Sequence, residues 1–297
     1  METQENKTNL APDTAKTNDT GKSVISTSVI VLVAILLAVL TIFAMKYETD
    51  QSPDTFGHSS FNKEFRPLSQ TGTFKPDAFK AGTSISDNSI PENLAKRAES
   101  GDAKAQYELG MKYIDEHNNY KAYNKAFYWF YKSAEQGYAP AQQKIGFMYG
   151  NGQGVAKDLT EAFKWFKKAA EQGDSKAEFN LALMYDNGEA VEHDIHEAIR
   201  WYKRAADHGD LRAQTNLGVI YGNGKEVEKD YSEAFKWFKK AADQGDFKSQ
   251  YNIGLMYEHG RGIETNKSKA IEWYRKSADQ GHPDAIKKLE KLAPGSK

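Results

Sequence analysis

Apolar residues follow two stripes with helical spacing, and the pattern is clearest in residues 209–244. The first stripe is Ala213, Leu217, Ile220 and Tyr221, and the second is Ala234, Trp237, Phe238 and Ala241. Residues three and four apart lie on one face of an α-helix, so each stripe predicts one amphipathic helix. The segment therefore predicts a pair of helices with a short connection between them.

The helix pair recurs along the chain with a period of 36 residues. This shift superposes six glycines, Gly101, Gly137, Gly173, Gly209, Gly245 and Gly281, and all five tryptophans, Trp129, Trp165, Trp201, Trp237 and Trp273. Repeats of this length are typical of stacked units whose neighbours bury one another's apolar faces. We predict an all-α fold, an α-solenoid of antiparallel helix pairs, with repeats at residues 101–136, 137–172, 173–208, 209–244 and 245–280.

The ends of the helices carry recurring signals. An aspartate that can cap the first helix follows the repeat glycine at Asp102, Asp174, Asp210 and Asp246, and Gly152, Gly188, Gly224 and Gly260 can stop that helix. Asp158 with Glu161 predicts a reciprocal capping box at the second helix, as do the equivalent pairs in the next two repeats. Residues 91–100 predict an N-terminal capping helix, and residues 281–297 predict a C-terminal capping helix and tail.

Tryptophan stands in the second stripe of every repeat, with an alanine three residues before it and an alanine or serine four residues after it. That spacing fits the core side of a helix, so we interpret all five tryptophans as structural core residues. The alternative is a row of exposed rings that recognises a sugar or a methylated cation.

The chain before the repeats divides into three parts. Residues 1–23 are polar and predict a disordered tail. Residues 24–45 contain no charged side chain, and as a helix they would reach about 33 Å, which predicts a transmembrane helix. A cleaved signal peptide is the alternative, but no small-residue cleavage site follows before Lys46. Residues 46–90 lack a helical or strand period and predict a flexible linker.

Lysine placement predicts how this segment is oriented. Lys16 and Lys22 precede it, whereas Lys46 alone follows it closely, and positive charge favours the cytoplasmic side. We therefore expect a single-pass protein of the cytoplasmic membrane of a bacterium, with its repeats outside the cytoplasm.

The composition and the motifs limit which partners and ligands we expect for the chain. Lys and Arg number 40 against 41 Asp and Glu, and the basic residues are spread through the repeats, so we expect no nucleic-acid partner. The chain has no cysteine. Gly150 to Gly154 lacks the preceding strand of a phosphate loop, and His193 with His196 lacks a third recurring ligand, so we expect no cofactor and no metal.

The repeat pattern GDxxAQxNLGxxYxNGxGVxxDxxEAFKWFKKAAEQ, which covers residues 101–280, resembles the Sel-one-like repeat, a relative of the tetratricopeptide repeat. The resemblance implies helix pairs stacked in a right-handed superhelix. It also implies an adaptor or scaffold in protein complexes rather than an enzyme. The absence of cysteine separates the chain from family members that carry a disulfide in each repeat.

By analogy with tetratricopeptide units, positions 4, 7, 8 and 11 of each repeat face a concave groove. The candidate partner-binding residues there are the cations Lys176, Arg212 and Lys248, the aromatics Tyr107, Phe179 and Tyr251, and the amides Asn180, Asn216 and Asn252. Such a surface suits a peptide, because rings supply contact area and amides bond an extended backbone. The alternative is that the apolar members only pack against the adjacent repeat.

The sequence thus predicts a membrane-tethered, non-catalytic interaction module with an unidentified protein or peptide partner. An immunity-type inhibitor of a toxin is one version of this hypothesis. A periplasmic module that binds cell-wall glycan through exposed aromatics is the alternative.

Overall fold

A computed structural model describes residues 90–116 and 120–292, which form twelve α-helices. They are α1 (Glu92–Glu99), α2 (Ala103–Glu116), α3 (Tyr120–Glu135), α4 (Ala139–Asn151), α5 (Leu159–Glu171), α6 (Ser175–Asn187), α7 (Ile195–Asp207), α8 (Leu211–Asn223), α9 (Tyr231–Asp243), α10 (Phe247–His259), α11 (Lys267–Ala278) and α12 (Pro283–Leu292). The predicted tail, transmembrane helix and linker lie outside the described residues, apart from residue 90. No helix within the described ranges is long and apolar enough to cross a membrane.

The helices pack in chain order. Each of the five repeats contributes a pair, from α2 with α3 to α10 with α11, and the second helix of each pair also packs against the first helix of the next. Helix α1 covers the start of this stack and α12 covers its end. The described helices therefore confirm the prediction of an all-α solenoid.

The two helices of a repeat differ in how much of their surface is buried. In the fourth repeat, α8 buries an unbroken run of eight residues from Ala213 to Ile220, whereas α9 buries only the stripe predicted from the sequence and Ala242. Each first helix packs against its own second helix and against that of the preceding unit. The second helices keep an outer face that is open to water.

The N-terminal caps form through aspartate, but the predicted capping boxes are wrong in their second half. The carboxylate of Asp158 accepts the backbone N–H of Glu161 at 3.0 Å, as expected of an N-cap. The N–H of Asp158 itself donates to the carbonyl of Tyr149 on α4 rather than to the Glu161 side chain. Glu161 instead forms an ion pair with Lys164. The equivalent aspartates at 194 and 230 bond the preceding helix in the same way.

Glycine ends the helices by two different motifs. Gly188 caps α6 in the left-handed conformation at φ 68°, and the same position does so in the neighbouring repeats. At the turn between repeats, Gly173 has φ +87° and donates to the carbonyl of Ala170, while Asp174 donates to Ala169. These two bonds are the Schellman pattern, which satisfies carbonyls at the end of α5.

Glycine also sets how closely the two helices of a repeat approach. A Cβ added to Gly146 on α4 would come within 2.7 Å of the Phe166 ring on α5. Three other repeats show the same contact at Gly110, Gly218 and Gly254. In the third repeat this position is Ala182.

We expect two glycine-to-alanine changes in α4 to act in opposite directions. Gly146→Ala should cost about 1–3 kcal/mol, because the core has no room for the added methyl group. Gly150→Ala is the matched control, since its Cβ would meet only Ala162 at 3.9 Å. That change should stabilise the helix by about 0.5–1 kcal/mol. Urea unfolding followed by circular dichroism measures both, and equal stability of the two variants would contradict the close approach.

Candidate partner-binding surfaces

The three asparagines predicted to line the groove are buried. Asn180, Asn216 and Asn252 expose 6%, 0% and 8% of their surface. The amide of Asn216 donates to the hydroxyl of Tyr202 at 3.1 Å, and that hydroxyl donates to Asp186 at 2.9 Å. The expectation that these amides face an open groove is therefore wrong. Asn216, at position 8 of its repeat, instead faces the second helix of the preceding repeat.

The predicted groove aromatics are engaged within the protein. Phe179 is 3% exposed and lies beneath the guanidinium of Arg212, 4.0 Å from its ring centroid. Tyr107 contacts Phe130 and Tyr138, and Tyr251 contacts Tyr274 and stacks on His282 at 4.8 Å. Tyr107 and Tyr251 are half-buried, so each presents only part of its ring to solvent.

The predicted cations remain on the surface. Lys176, Arg212 and Lys248 are exposed at position 4 of their repeats. Arg212 forms an ion pair with Asp210 at 2.7 Å, whereas Lys176 and Lys248 have no ion pair among the residues that the structure describes. Lys104 occupies the same position in the first repeat and lies 4.0 Å from Glu108. We name these four residues the cation row.

The five tryptophans expose between 3% and 8% of their surface. Each lies under a cation three residues later on its own helix, at centroid distances of 5.4 Å for Lys132, 4.1 Å for Lys168, 4.6 Å for Arg204, 4.2 Å for Lys240 and 4.0 Å for Lys276. A ring covered in this way offers no open face on which a sugar could stack. The tryptophans therefore give the glycan alternative no support.

Two repeats hold a buried tyrosine against an acid, a pairing that was not predicted from the sequence. Tyr202 donates to Asp186 in the third repeat, and Tyr274 donates to Glu258 in the fifth. Burial, together with the neighbouring carboxylate, raises the pKa of both tyrosines, so each stays protonated and donates at neutral pH. The signal was present in the sequence, because the repeats with phenylalanine at this position have isoleucine or glycine in place of the acid.

In the third repeat, charged side chains also stand where the other repeats have a ladder of hydrogen-bonded glutamines. In the other four repeats, a buried glutamine such as Gln214 donates to a carbonyl of the preceding unit and accepts a bond from a second glutamine, here Gln244. The third repeat has Glu178 and His208 at these two positions, 2.8 Å apart. Arg204 lies 3.0 Å from Glu178 and donates to the carbonyl of Ala170, so it takes over the link between repeats.

The solved structures that resemble the chain in both sequence and fold include the following two. The crystal structure of c5321, a protective antigen present in uropathogenic Escherichia coli strains that displays an SLR fold, is 41% identical over 68% of this chain and 43% of its own, with a TM-score of 0.65. A Sel1 repeat protein from Oxalobacter formigenes is 36% identical over 67% of this chain and 57% of its own, with a TM-score of 0.62. The chain thus spans less than two thirds of either relative.

A more distant likeness is to immunity protein Pa5087 from Pseudomonas aeruginosa, at 23% identity over 62% of this chain and 67% of that one, with a TM-score of 0.41. No curated protein matches the chain by sequence. The model of the Sel1 repeat matches residues 103–138, 139–174, 175–210, 211–246 and 247–282, the five predicted units displaced by two residues. These matches cover more than half of the sequence, and the chain therefore belongs to the Sel1 repeat family.

Proposed function

We propose that this protein is a non-catalytic interaction module that holds an acidic segment of a partner protein against the cation row. The observation that carries the proposal is the exposure of Lys176 and Lys248, which have no ion pair among the described residues. Exposed charges of one sign steer a partner of the opposite sign and raise its association rate.

Two lysines lie close enough to repel each other on this side of the stack. Lys144 is half-buried, and burial together with the charge of Lys176 lowers the pKa of the Lys144 ammonium. An acidic partner would relieve the repulsion between these two lysines. The carboxylates of Asp174 and Asp246 lie close to the row and offset part of its charge, and each also accepts a backbone N–H as a helix cap.

The proposal replaces the peptide groove predicted from the sequence. The asparagines of that groove are buried, so the surface left for a partner consists of the cations with parts of Tyr107 and Tyr251. Contact through such a row would depend on charge more than on backbone hydrogen bonds. We therefore expect binding that weakens as salt concentration rises.

We further propose that residues 24–45 anchor the chain in the cytoplasmic membrane and that the repeats lie outside the cytoplasm. The support is the uncharged length of this segment and the placement of Lys16 and Lys22 before it. A tether of this kind would concentrate the repeats at the membrane surface, where they would meet their partner.

Photo-crosslinking in cells tests the cation row. A photoreactive residue in place of Lys176 or Lys248 should give the same protein adduct, and Arg212→Glu should reduce its yield because it reverses a charge between the two. Lys164 and Lys236 are matched controls, since they are exposed lysines on the outer faces of α5 and α9. Adducts that form only from the control positions, or from none of the four, would refute the proposal.

Reporter fusions test the topology. A reporter that is active only in the periplasm, fused after Lys297, should be active, and a reporter that is active only in the cytoplasm should be silent there. The reverse pattern would place the repeats in the cytoplasm. Deletion of residues 24–45 should move the protein from the membrane fraction to the soluble fraction, and unchanged membrane recovery would refute the anchor.

A further inference from the structure

An edge-to-face pair of rings joins consecutive repeats at three of their four interfaces. In each pair, a phenylalanine at position 27 of one repeat contacts a tyrosine at position 13 of the next repeat. The centroid distances and interplanar angles are 5.2 Å and 87° for Phe127 with Tyr149, 5.5 Å and 77° for Phe163 with Tyr185, and 5.7 Å and 90° for Phe235 with Tyr257. Aromatic pairs prefer this geometry, so the repetition marks a site shaped for two rings.

The remaining interface, between the third and fourth repeats, lacks one of the two rings. Ile199 stands at position 27, and Tyr221 contacts no other ring among the described residues. A pocket of about 660 Å³ opens at this place, between α7 and the segment that joins α8 to α9. Ligand pockets in proteins commonly have volumes of this order. We name it the interface pocket.

The lining of the interface pocket combines apolar and charged groups. Ile199, Val227 and the ring of Tyr221 form its apolar part. The charged and polar side chains around them are His196, Lys203, Glu228, Lys229 and Asp230. A ligand that fits must therefore carry an apolar group together with a charge.

The lysines of the interface pocket are available to a ligand. Lys203 lies 5.4 Å from the centroid of Tyr221, Lys229 lies 5.5 Å from that of Tyr231, and neither forms an ion pair within the described ranges. Asp230 caps α9, where its carboxylate accepts the N–H of Glu233 at 2.9 Å. Glu228 and Asp230 thus match the two lysines in charge, but the ammonium groups of Lys203 and Lys229 have no carboxylate of the described residues within ion-pair distance and can pair with an acidic group on the ligand.

We propose that the interface pocket receives an aromatic side chain of a partner protein, next to an acidic residue of that partner. The ring would lie against Tyr221 where phenylalanine lies at the other interfaces, and the acid would pair with Lys203 or Lys229. This inference rests on the proposed function as an interaction module. It adds a second contact, made by residues outside the cation row, which selects partners by an aromatic residue.

A peptide titration of the full-length chain tests the pocket, with the methyl NMR signals of Val227 as reporter. The probe is acetyl-Asp-Phe-Asp-amide, and the comparison peptides are acetyl-Asp-Leu-Asp-amide and acetyl-Lys-Phe-Lys-amide. We expect the probe to shift the Val227 signals at millimolar concentration and to bind more tightly than either comparison peptide. Absence of a shift, or equal affinity for all three peptides, would overturn the proposal.

Ile199→Phe should close the pocket by restoring the ring pair of the other interfaces. The variant should melt at or above the temperature of the wild-type protein and bind the probe at least about tenfold more weakly, equivalent to about 1.4 kcal/mol. Unchanged affinity for the probe in this variant would overturn the proposal that the ring binds in the interface pocket. It would not affect the proposal that the protein is an interaction module.

Lys203→Glu provides a second variant, in which the packing of Ile199 stays as it is. It should weaken binding of the probe, while the matched change Lys167→Glu should not, because Lys167 has the same position beside the filled interface of Phe163 and Tyr185. Equal losses in the two variants would overturn the role given to Lys203. If the probe binds as expected but crosslinking at the cation row finds no partner, the pocket stands and the proposed function fails.

Discussion

Each first helix of this protein packs between two second helices, and this packing determines which of its side chains remain accessible to a partner. Packing on both sides buries most of α8, from Ala213 to Ile220. It also buries the position-8 asparagines and Phe179, which would otherwise face a groove. Among the described residues, the side chains left in contact with water include the cation row, parts of Tyr107 and Tyr251, the outer faces of the second helices and the loops. A partner must therefore bind through these surfaces.

The third repeat shows how a stacked unit can change chemistry without losing its packing. Glu178, Arg204 and His208 replace the glutamine ladder and preserve its link to Ala170. Tyr202 replaces phenylalanine, and its hydroxyl donates a hydrogen bond to Asp186. In each exchange the buried side chain has a polar partner, Arg204 and His208 for Glu178 and Asp186 for Tyr202. At position 27 of this repeat, Ile199 stands in place of phenylalanine, no second ring pairs with Tyr221 among the described residues, and the interface pocket opens there.

Local features were predictable from the sequence, whereas contacts between helices were not. The period, the two helices of each unit, the aspartate caps and the glycine stops all follow from residues within a few positions of one another. The orientation of Asn216 toward Tyr202 and the bond from Asp158 to Tyr149 depend on packing between helices, which helical spacing alone does not specify. The predicted capping boxes were wrong for this reason, because the backbone N–H of each capping aspartate donates to a carbonyl of the preceding helix rather than to the glutamate.

The central claim, that packing between repeats uses the residues predicted for the groove, is tested most directly by the free energy of unfolding of Asn216→Ala. Asn216 is fully buried and bonded to Tyr202, so its removal should cost about 1–3 kcal/mol, measured by urea denaturation. An exposed helical asparagine would instead gain slightly from alanine. Stability of Asn216→Ala equal to or above that of the wild-type protein would contradict the account.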